Sequence, residues 1–356
     1  MAERQGRSPQ PLQLSNMLDE GKAKRGREAS HVEKQKGLSN LLEAVMEVRE
    51  RAEDGSLGKA KTAEEWLLAA NVLIDCPLPF RPTRDRQVTR RTRFHNAFVT
   101  ITFTAHRPGV DLPTATDSRL LHWLLNRVVR EAREAQARGE APRRTVEWKS
   151  AYEYLADVGK TICAKNYRDL RDSLSRIAGL SITLERHDDT GDLGIHTAFL
   201  ESWYLPPSLD RSSKRDSGDA SGRYAVALSE AIVRTATEHF VAIPLAIWKL
   251  SKGRPLQGSL LMWLYKRAYT AAAPSLVSWE LLRDQFGLED SNQRRIKPVT
   301  KKMVTLLRSM WPGCDVQVLS NGVRFSQQTA PFLQRSFASG NRSAYGIRRH
   351  RPSAPE

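Results

Sequence analysis

What this chain has little of narrows its role first. Three cysteines, Cys76, Cys163 and Cys314, stand far apart among 356 residues, an odd number without CxxC spacing. That argues against a disulfide framework and a four-thiolate zinc site, and predicts reduced thiols in a cytosolic protein. No run of about 18 apolar residues occurs, so no membrane-spanning helix is expected. The N-terminal "MAERQGRSPQPLQ" lacks an apolar stretch and does not read as a secretory signal. "EDGSLGKAKT" has no glycine four residues before Gly58-Lys59, so it is not a Walker A loop. "HDDTGDLG" lacks the distal Glu of a calcium loop and suits a hairpin turn better. No Ser-His-Asp or paired-carboxylate arrangement has distinguishing local sequence. The expectation is a chain without catalytic residues, metal or cofactor.

Charge is the strongest global feature. There are 56 Lys+Arg against 40 Asp+Glu, a net +16 and a pI near 10.0. Such a balance suits a polyanionic partner, nucleic acid first and an anionic membrane second. Residues 1–60 are nearly neutral, with 11 basic and 10 acidic side chains. The excess therefore lies in the later part of the chain and in the tail "RSAYGIRRHRP". Basic surfaces held on structured elements are expected, rather than a basic arm.

Residues 1–29 are polar and read as disordered. "SHVEKQKGLSNLLEAVMEVRERAEDG" predicts a helix, with Ser30 and Glu33 as a capping box and an apolar stripe from Leu38 to Val48. A further short helix is expected over 63–74. "CPLPFRPTRDRQVTRRTR" then reads as a Pro-broken basic connector holding Arg81, Arg84, Arg86, Arg90, Arg91 and Arg93. "AFVTITFTA" (97–105) alternates as a strand, three helical stretches follow at 117–137, 148–158 and 165–178, and two strands flank a loop at 187–194. "PPSLDRSSKRDSGDASG" (206–222) has the composition of a linker or long surface loop. Beyond it come a strand "RYAVALS", helices at 229–237, 244–251, 257–272, 278–286 and 296–310, and two strands joined at Ser320-Asn321-Gly322, a hairpin signal. The division expected is an arm over 1–75, one domain over 76–205, a linker over 206–222, a second domain over 223–332 and a basic disordered tail over 333–356.

The two domains echo each other. Leu120, Leu121, Trp123, Leu124 and Arg127 repeat as Leu260, Leu261, Trp263, Leu264 and Arg267. Trp148, Leu155 and Gly159 then answer Trp279, Leu282 and Gly287, and each set leads to a basic helix and to strands, from Ile182 and from Val316. Helix, helix, Gly-containing turn, helix, β-hairpin is the order of a winged helix. The expected fold is therefore α+β: two tandem winged-helix domains related by an internal pseudo-repeat, after a partly disordered, helical N-terminal arm. The repeated Trp and Leu read as core.

In this fold the third helix enters the DNA major groove. In the second unit "SNQRRIKPVTKKMVTLLR" supplies Arg294, Arg295, Lys297, Thr300, Lys301, Lys302 and Arg308 with no acid, opposite an apolar stripe of Ile296, Val299, Met303, Leu306, Leu307 and Met310. A solvated structural helix would normally mix in Asp or Glu for i,i+4 pairs. Pro298 costs little if it lies in the first turn. In the first unit "AKNYRDLRDSLSRI" offers Lys165, Asn166, Arg168, Arg171 and Arg176, diluted by Asp169 and Asp172. Asn and Arg are the types that read adenine and guanine edges, although Arg168 and Asp172 also suit a simple ion pair. The acidic loop at Asp188, Asp189 and Asp192 predicts a first wing that points away from phosphate. Arg90, Arg91 and Arg93 complete the candidate DNA contacts.

With these residues in view, the chain resembles the RepA-type plasmid replication initiators, with relatives among the RepC and TrfA proteins. The matching stretches are "PLPFRPTRD", "DSRLLHWLLNRVVREA", "YRDLRDSLSRIAGLSITL", "GRYAVALSEAI", "VAIPLAIWKL", "LLMWLYKRA" and "VSWELLRDQFG", together covering about residues 77–330. The resemblance implies tandem winged helices that bind short repeated sites (iterons) in double-stranded DNA at a plasmid origin. It also implies help in melting adjacent DNA, recruitment of the host replicative helicase and initiator, and a possible homodimer that represses its own gene. The N-terminal 75 residues have no counterpart in that pattern.

A rolling-circle initiator would need a His-hydrophobe-His pair, a pattern that the eight histidines never form. A tandem winged-helix transcriptional regulator without replication activity shares every physical feature above. Membrane-surface binding is disfavoured, because the cationic helix lacks a Trp- and Phe-rich opposite face.

Overall fold

The computed structural model describes residues 66–94, 97–188, 191–206, 223–249, 254–271, 273–288, 293–311 and 313–326. The helix expected near 30–53 and the basic tail lie outside them.

The second unit opens with helix α7 (Pro255–Thr270), whose proline sits at the helix start, where its missing N–H is no loss. Strand β10 (Ser275–Ser278) follows and runs straight into α8 (Trp279–Phe286). Ser278 caps α8, its Oγ accepting the Leu281 N–H at 3.1 Å. Gly287 ends the helix at φ 56°, the left-handed conformation that glycine adopts without strain. Helix α9 (Gln293–Met310) and strands β11 (Val316–Val318) and β12 (Gly322–Phe325) complete the unit. The sheet order is β10-β12-β11, all antiparallel.

The first unit repeats this plan. Helix α2 (Ser118–Arg138), strand β4 (Thr145–Trp148), helix α3 (Ala151–Asp157) and helix α4 (Ala164–Ala178) correspond in order to α7, β10, α8 and α9. Gly159 turns the chain between α3 and α4 at φ 65°. Strands β7 (Leu200–Tyr204) and β8 (Tyr224–Leu228) then give the sheet order β4-β8-β7, the same arrangement as β10-β12-β11. The fold is mixed α and β, and it contains two winged-helix units with a strand between the first and second helices. Leu120, Leu121, Trp123 and Leu124, with Leu260, Leu261, Trp263 and Leu264, are all buried, as core residues at helical spacing should be.

Several expectations need correction. The wing of the first unit is β7–β8, and residues 206–222 connect those two paired strands rather than two domains. The hairpin taken for that wing is β5 (Leu180–Asp188) and β6 (Gly191–Ala198), which belongs to a separate sheet. That sheet has the order β2-β3-β5-β6, with β2 (Gln87–Phe94) and β3 (Ala97–Ala105), so the Arg-rich part of the presumed connector is a strand. Residues 66–75, counted with the arm, are a strand, β1 (Trp66–Ala70), and a short helix, α1 (Asn71–Asp75). Lastly, Pro298 lies in the second turn of α9, where it removes one i→i−4 bond.

After β8 the chain forms α5 (Glu230–Glu238), β9 (Phe240–Pro244) and α6 (Leu245–Lys249). Strand β9 pairs with β1 in a two-stranded ladder, which ties the start of the described chain to the entry of the second unit. Other contacts fasten the units together. The Lys266 ammonium is buried against Asp75, Gln285 Nε2 donates to Thr92 Oγ1, and Phe80 stacks on Phe286 at 6.1 Å. One continuous core results. No helix among the described residues is long and apolar enough to cross a membrane.

Candidate nucleic-acid interface

Helix α9 divides by face. Ile296, Thr300, Met303, Val304, Leu307 and Met310 are buried against the unit, while Lys297, Lys301, Lys302 and Arg308 are exposed. Arg294 and Arg295 fall in the first turn, with side chains outside the described set. Thr300, expected among the DNA contacts, is fully buried and its hydroxyl meets no partner. It stands four residues after Ile296 and three before Met303, on the inner stripe, so it contributes to packing.

Two of the cations are fixed by backbone carbonyls. Lys297 Nζ donates to the Ser320 carbonyl at 3.1 Å and lies 5.5 Å from the Trp279 ring. The Trp279 indole N–H reaches the same carbonyl at 3.0 Å. The start of α9 is thereby tied to the turn of the wing. Arg308 donates to the Val316 carbonyl at 2.7 Å, fixing the end of α9 to β11. Lys301 and Lys302, between these anchors, are exposed.

The wing adds a cation that the sequence reading missed. Arg324 on β12 is exposed, flanked across the ladder by Leu276 and Gln317, while Val323 and Phe325 on either side of it are buried. The alternation of "GVRF" was the signal for it. Strand β10 passes close beneath the wing: a Cβ at Gly322 would lie 2.2 Å from the Val277 carbonyl oxygen.

The corresponding helix of the first unit, α4, uses its polar groups differently. Lys165 and Arg168 are exposed. Asn166 is half-buried and donates its amide to the Thr161 carbonyl at 2.6 Å, holding the turn before the helix. Arg171 is exposed and donates to the Pro206 carbonyl at 2.8 Å, which joins the helix to the end of β7. Arg176 makes two hydrogen bonds to Asp117, at 3.0 and 2.8 Å, and Asp117 is fully buried. Burial alone would raise that carboxyl's pKa. Hydrogen bonds from Arg176, Ser173 and the Thr114 N–H outweigh burial and hold it below the ordinary carboxylate value.

The three β2 arginines separate by strand alternation. Arg90 is a correction: it is buried at the junction of the units, its guanidinium directly over Gly287, so close that a Cβ there would lie 2.0 Å from Arg90 Cζ. Burial lowers its pKa. It therefore faces the second unit and not solvent. Arg91 and Arg93 point the other way, with Arg91 Cζ 4.3 Å and Arg93 Cζ 5.7 Å from the Phe98 ring centre. They share the outer face of the four-stranded sheet. Among the described residues no cluster of His, Cys, Asp and Glu could hold a metal ion.

No family model matches the chain, and no curated protein matches it. Two solved structures of domains 2 and 3 of RctB are similar to it in fold. The first, of selenomethionine derivatives, aligns with a TM-score of 0.47 at 14% identity, over 73% of this chain and 97% of that one. The second aligns with a TM-score of 0.41 at 13% identity, over 71% and 94%.

Proposed function

We propose that the chain binds double-stranded DNA site-specifically at the repeated sites of a plasmid origin and initiates plasmid replication. The observation that carries this reading is the outer face of α9, which is cationic at Lys297, Lys301, Lys302 and Arg308, acid-free, and fixed at both ends to the wing. A rigid helix of that charge offers phosphate neutralisation along its length and base contact from its first turns. Arg324 on the wing provides a second backbone contact beside it. The first unit holds the duplex more weakly, through Lys165, Arg168 and Arg171. The protein performs no catalysis itself. It acts in the bacterial cytoplasm, opens the adjacent origin DNA and brings in the host replicative helicase and initiator. That part of the reading rests on the resemblance of its sequence stretches to plasmid initiators.

The test is a titration against a duplex carrying the direct repeats beside the gene and against scrambled DNA, at several salt concentrations. Specific affinity at least ~10³ above scrambled DNA, with a steep salt slope, is expected. Loss of plasmid maintenance when the repeats are deleted separates an initiator from a winged-helix transcriptional regulator. Equal affinity for both duplexes at every salt concentration overturns the reading.

A further inference from the structure

Away from α9 and its wing, the first unit carries a cleft of about 440 Å³, within the size that small-molecule sites take. Its walls are helix α4, strand β7 and the turn after β3. Arg171, Asp172 and Ser175 share one face of α4 at helical spacing, Trp203 and Tyr204 come from β7, and Arg107 comes from the turn.

The turn is clamped in place. The His106 N–H donates to the Gly179 carbonyl at 2.8 Å, just past the end of α4. A Cβ at Gly179 would lie 2.8 Å from Arg107 Cβ, so glycine is what admits Arg107 there. Arg86 donates to the carbonyls of Ala105 and Arg107, at 2.6 and 2.9 Å. Arg107 Nη1 in turn donates to Ser175 Oγ at 3.0 Å, and its Cζ lies 5.9 Å from the Trp203 ring centre.

Three kinds of group thus line one cleft. Arg107 and Arg171 each commit Nη1, to Ser175 and to the Pro206 carbonyl, and each keeps further guanidinium donors. Such donors suit a phosphate group. Trp203 is 42% and Tyr204 56% exposed on an edge strand, rings left uncovered in the way that base stacking needs. Asp172 is exposed, and no hydrogen bond or ion pair takes its carboxylate among the described residues. A carboxylate accepts two parallel hydrogen bonds, and among the common bases guanine alone presents two adjacent donors, its N1–H and its 2-amino group. With Asp169 one turn earlier, Asp172 also repels a phosphodiester backbone laid along α4, which favours a free nucleotide over a DNA strand.

We propose that this cleft binds a free guanine nucleotide. The base stacks on the β7 aromatics with its edge on Asp172, and the phosphates meet Arg107 and Arg171. Arg171 is the one residue shared with the proposed duplex contacts, so binding is measured without DNA and either reading can fail alone.

The test is isothermal titration of the full chain with GDP, ADP and inorganic phosphate. GDP should bind saturably at a single site, at least ~10-fold tighter than ADP or phosphate. Arg107→Ala and Trp203→Ala should each weaken GDP by ~10-fold. Lys301→Glu in α9 should leave it unchanged. Asp172→Asn should lose GDP and gain xanthosine diphosphate, because the asparagine amide donates to the 2-carbonyl of xanthine while accepting from its N1–H. A merely structural role would not exchange one base for the other. Circular dichroism checks that each variant folds. Absence of saturable GDP binding, equal binding of ADP, or an Asp172→Asn chain that gains nothing for xanthosine diphosphate overturns the proposal. So does a single-stranded oligonucleotide that displaces GDP and needs the same residues, which would give the cleft to a DNA strand.

Discussion

The third helices of the two winged units occupy the same place in the same topology and use their cations in opposite ways. In α4, Arg176 is committed to the buried Asp117, Arg171 to the Pro206 carbonyl, and Asp169 and Asp172 dilute the rest. In α9 there is no acid, and the cations that are anchored, Lys297 and Arg308, are held by carbonyls rather than by a buried carboxylate such as the one that takes Arg176. The wings differ likewise. The second is a tight turn fastened to its helix by Trp279, whereas the strands of the first are joined through residues 205–223. One unit has spent its charge on holding itself together, and the other presents it. A duplicated fold can thus divide the tasks of scaffold and contact without a change in architecture.

The largest effect should come from reversing the exposed charges of α9. Lys301→Glu with Lys302→Glu should lower affinity for the repeat duplex on the order of 10³-fold, against ~10-fold for Lys165→Glu with Arg168→Glu in α4. Fluorescence anisotropy at fixed salt measures both. Equal losses would break the comparison and make the units equal partners on DNA.

Next comes the ion pair that consumes Arg176. Asp117→Ala leaves a partly buried guanidinium without its partner, and should cost about 3 kcal/mol in urea denaturation. The Asp117 carboxyl titrates below its unfolded value, so the stability it contributes is present above about pH 4 and is lost as pH falls through the folded pKa. Asp117→Ala should flatten that acid limb while leaving the DNA contacts of α9 untouched.

The repeat itself supplies the third experiment. His122 in the first unit stands where Met262 stands in the second, and both are buried. Burial, with Arg119 nearby, pushes the imidazole down to about 4. The unfolded chain therefore takes up a proton below about pH 6.5 that the folded chain refuses until about pH 4, and stability falls as pH drops through that window. His122→Met should raise stability at pH 5 by about 2 kcal/mol relative to its effect at pH 8. A gain that does not vary with pH would show that packing, and not protonation, sets the difference between the two positions.

How much of this was legible in the sequence follows from the physics of each element. The Leu-Leu-x-Trp-Leu echo was, because a helical core stripe has a fixed period and bulky residues fill it in both units. The cationic helix was too, since nothing but its own spacing decides which face is apolar. The first wing was not: β5–β6 alternates as a wing would, and the true wing strands are separated by Pro, Ser, Asp and Gly residues with the composition of a linker. Arg90 was misplaced because a strand read as a connector shows no alternation. Once β2 is a strand, Arg90 and Thr92 turn inward together, while Arg91 and Arg93 turn outward.

Thr300 gives the smallest effect and the most direct check on which side of α9 meets DNA. Its hydroxyl is buried without a hydrogen-bond partner, a group that costs free energy in place. Thr300→Val keeps the shape and removes the unsatisfied oxygen, so stability should rise by up to about 1 kcal/mol while duplex affinity stays unchanged. Thermal unfolding and anisotropy on the same sample measure the two. Lys301, the next residue in the chain, should show the reverse pattern, with affinity lost and stability kept. A drop in affinity for Thr300→Val would turn the helix around, placing the neighbouring lysines on the protein side and the threonine toward the groove.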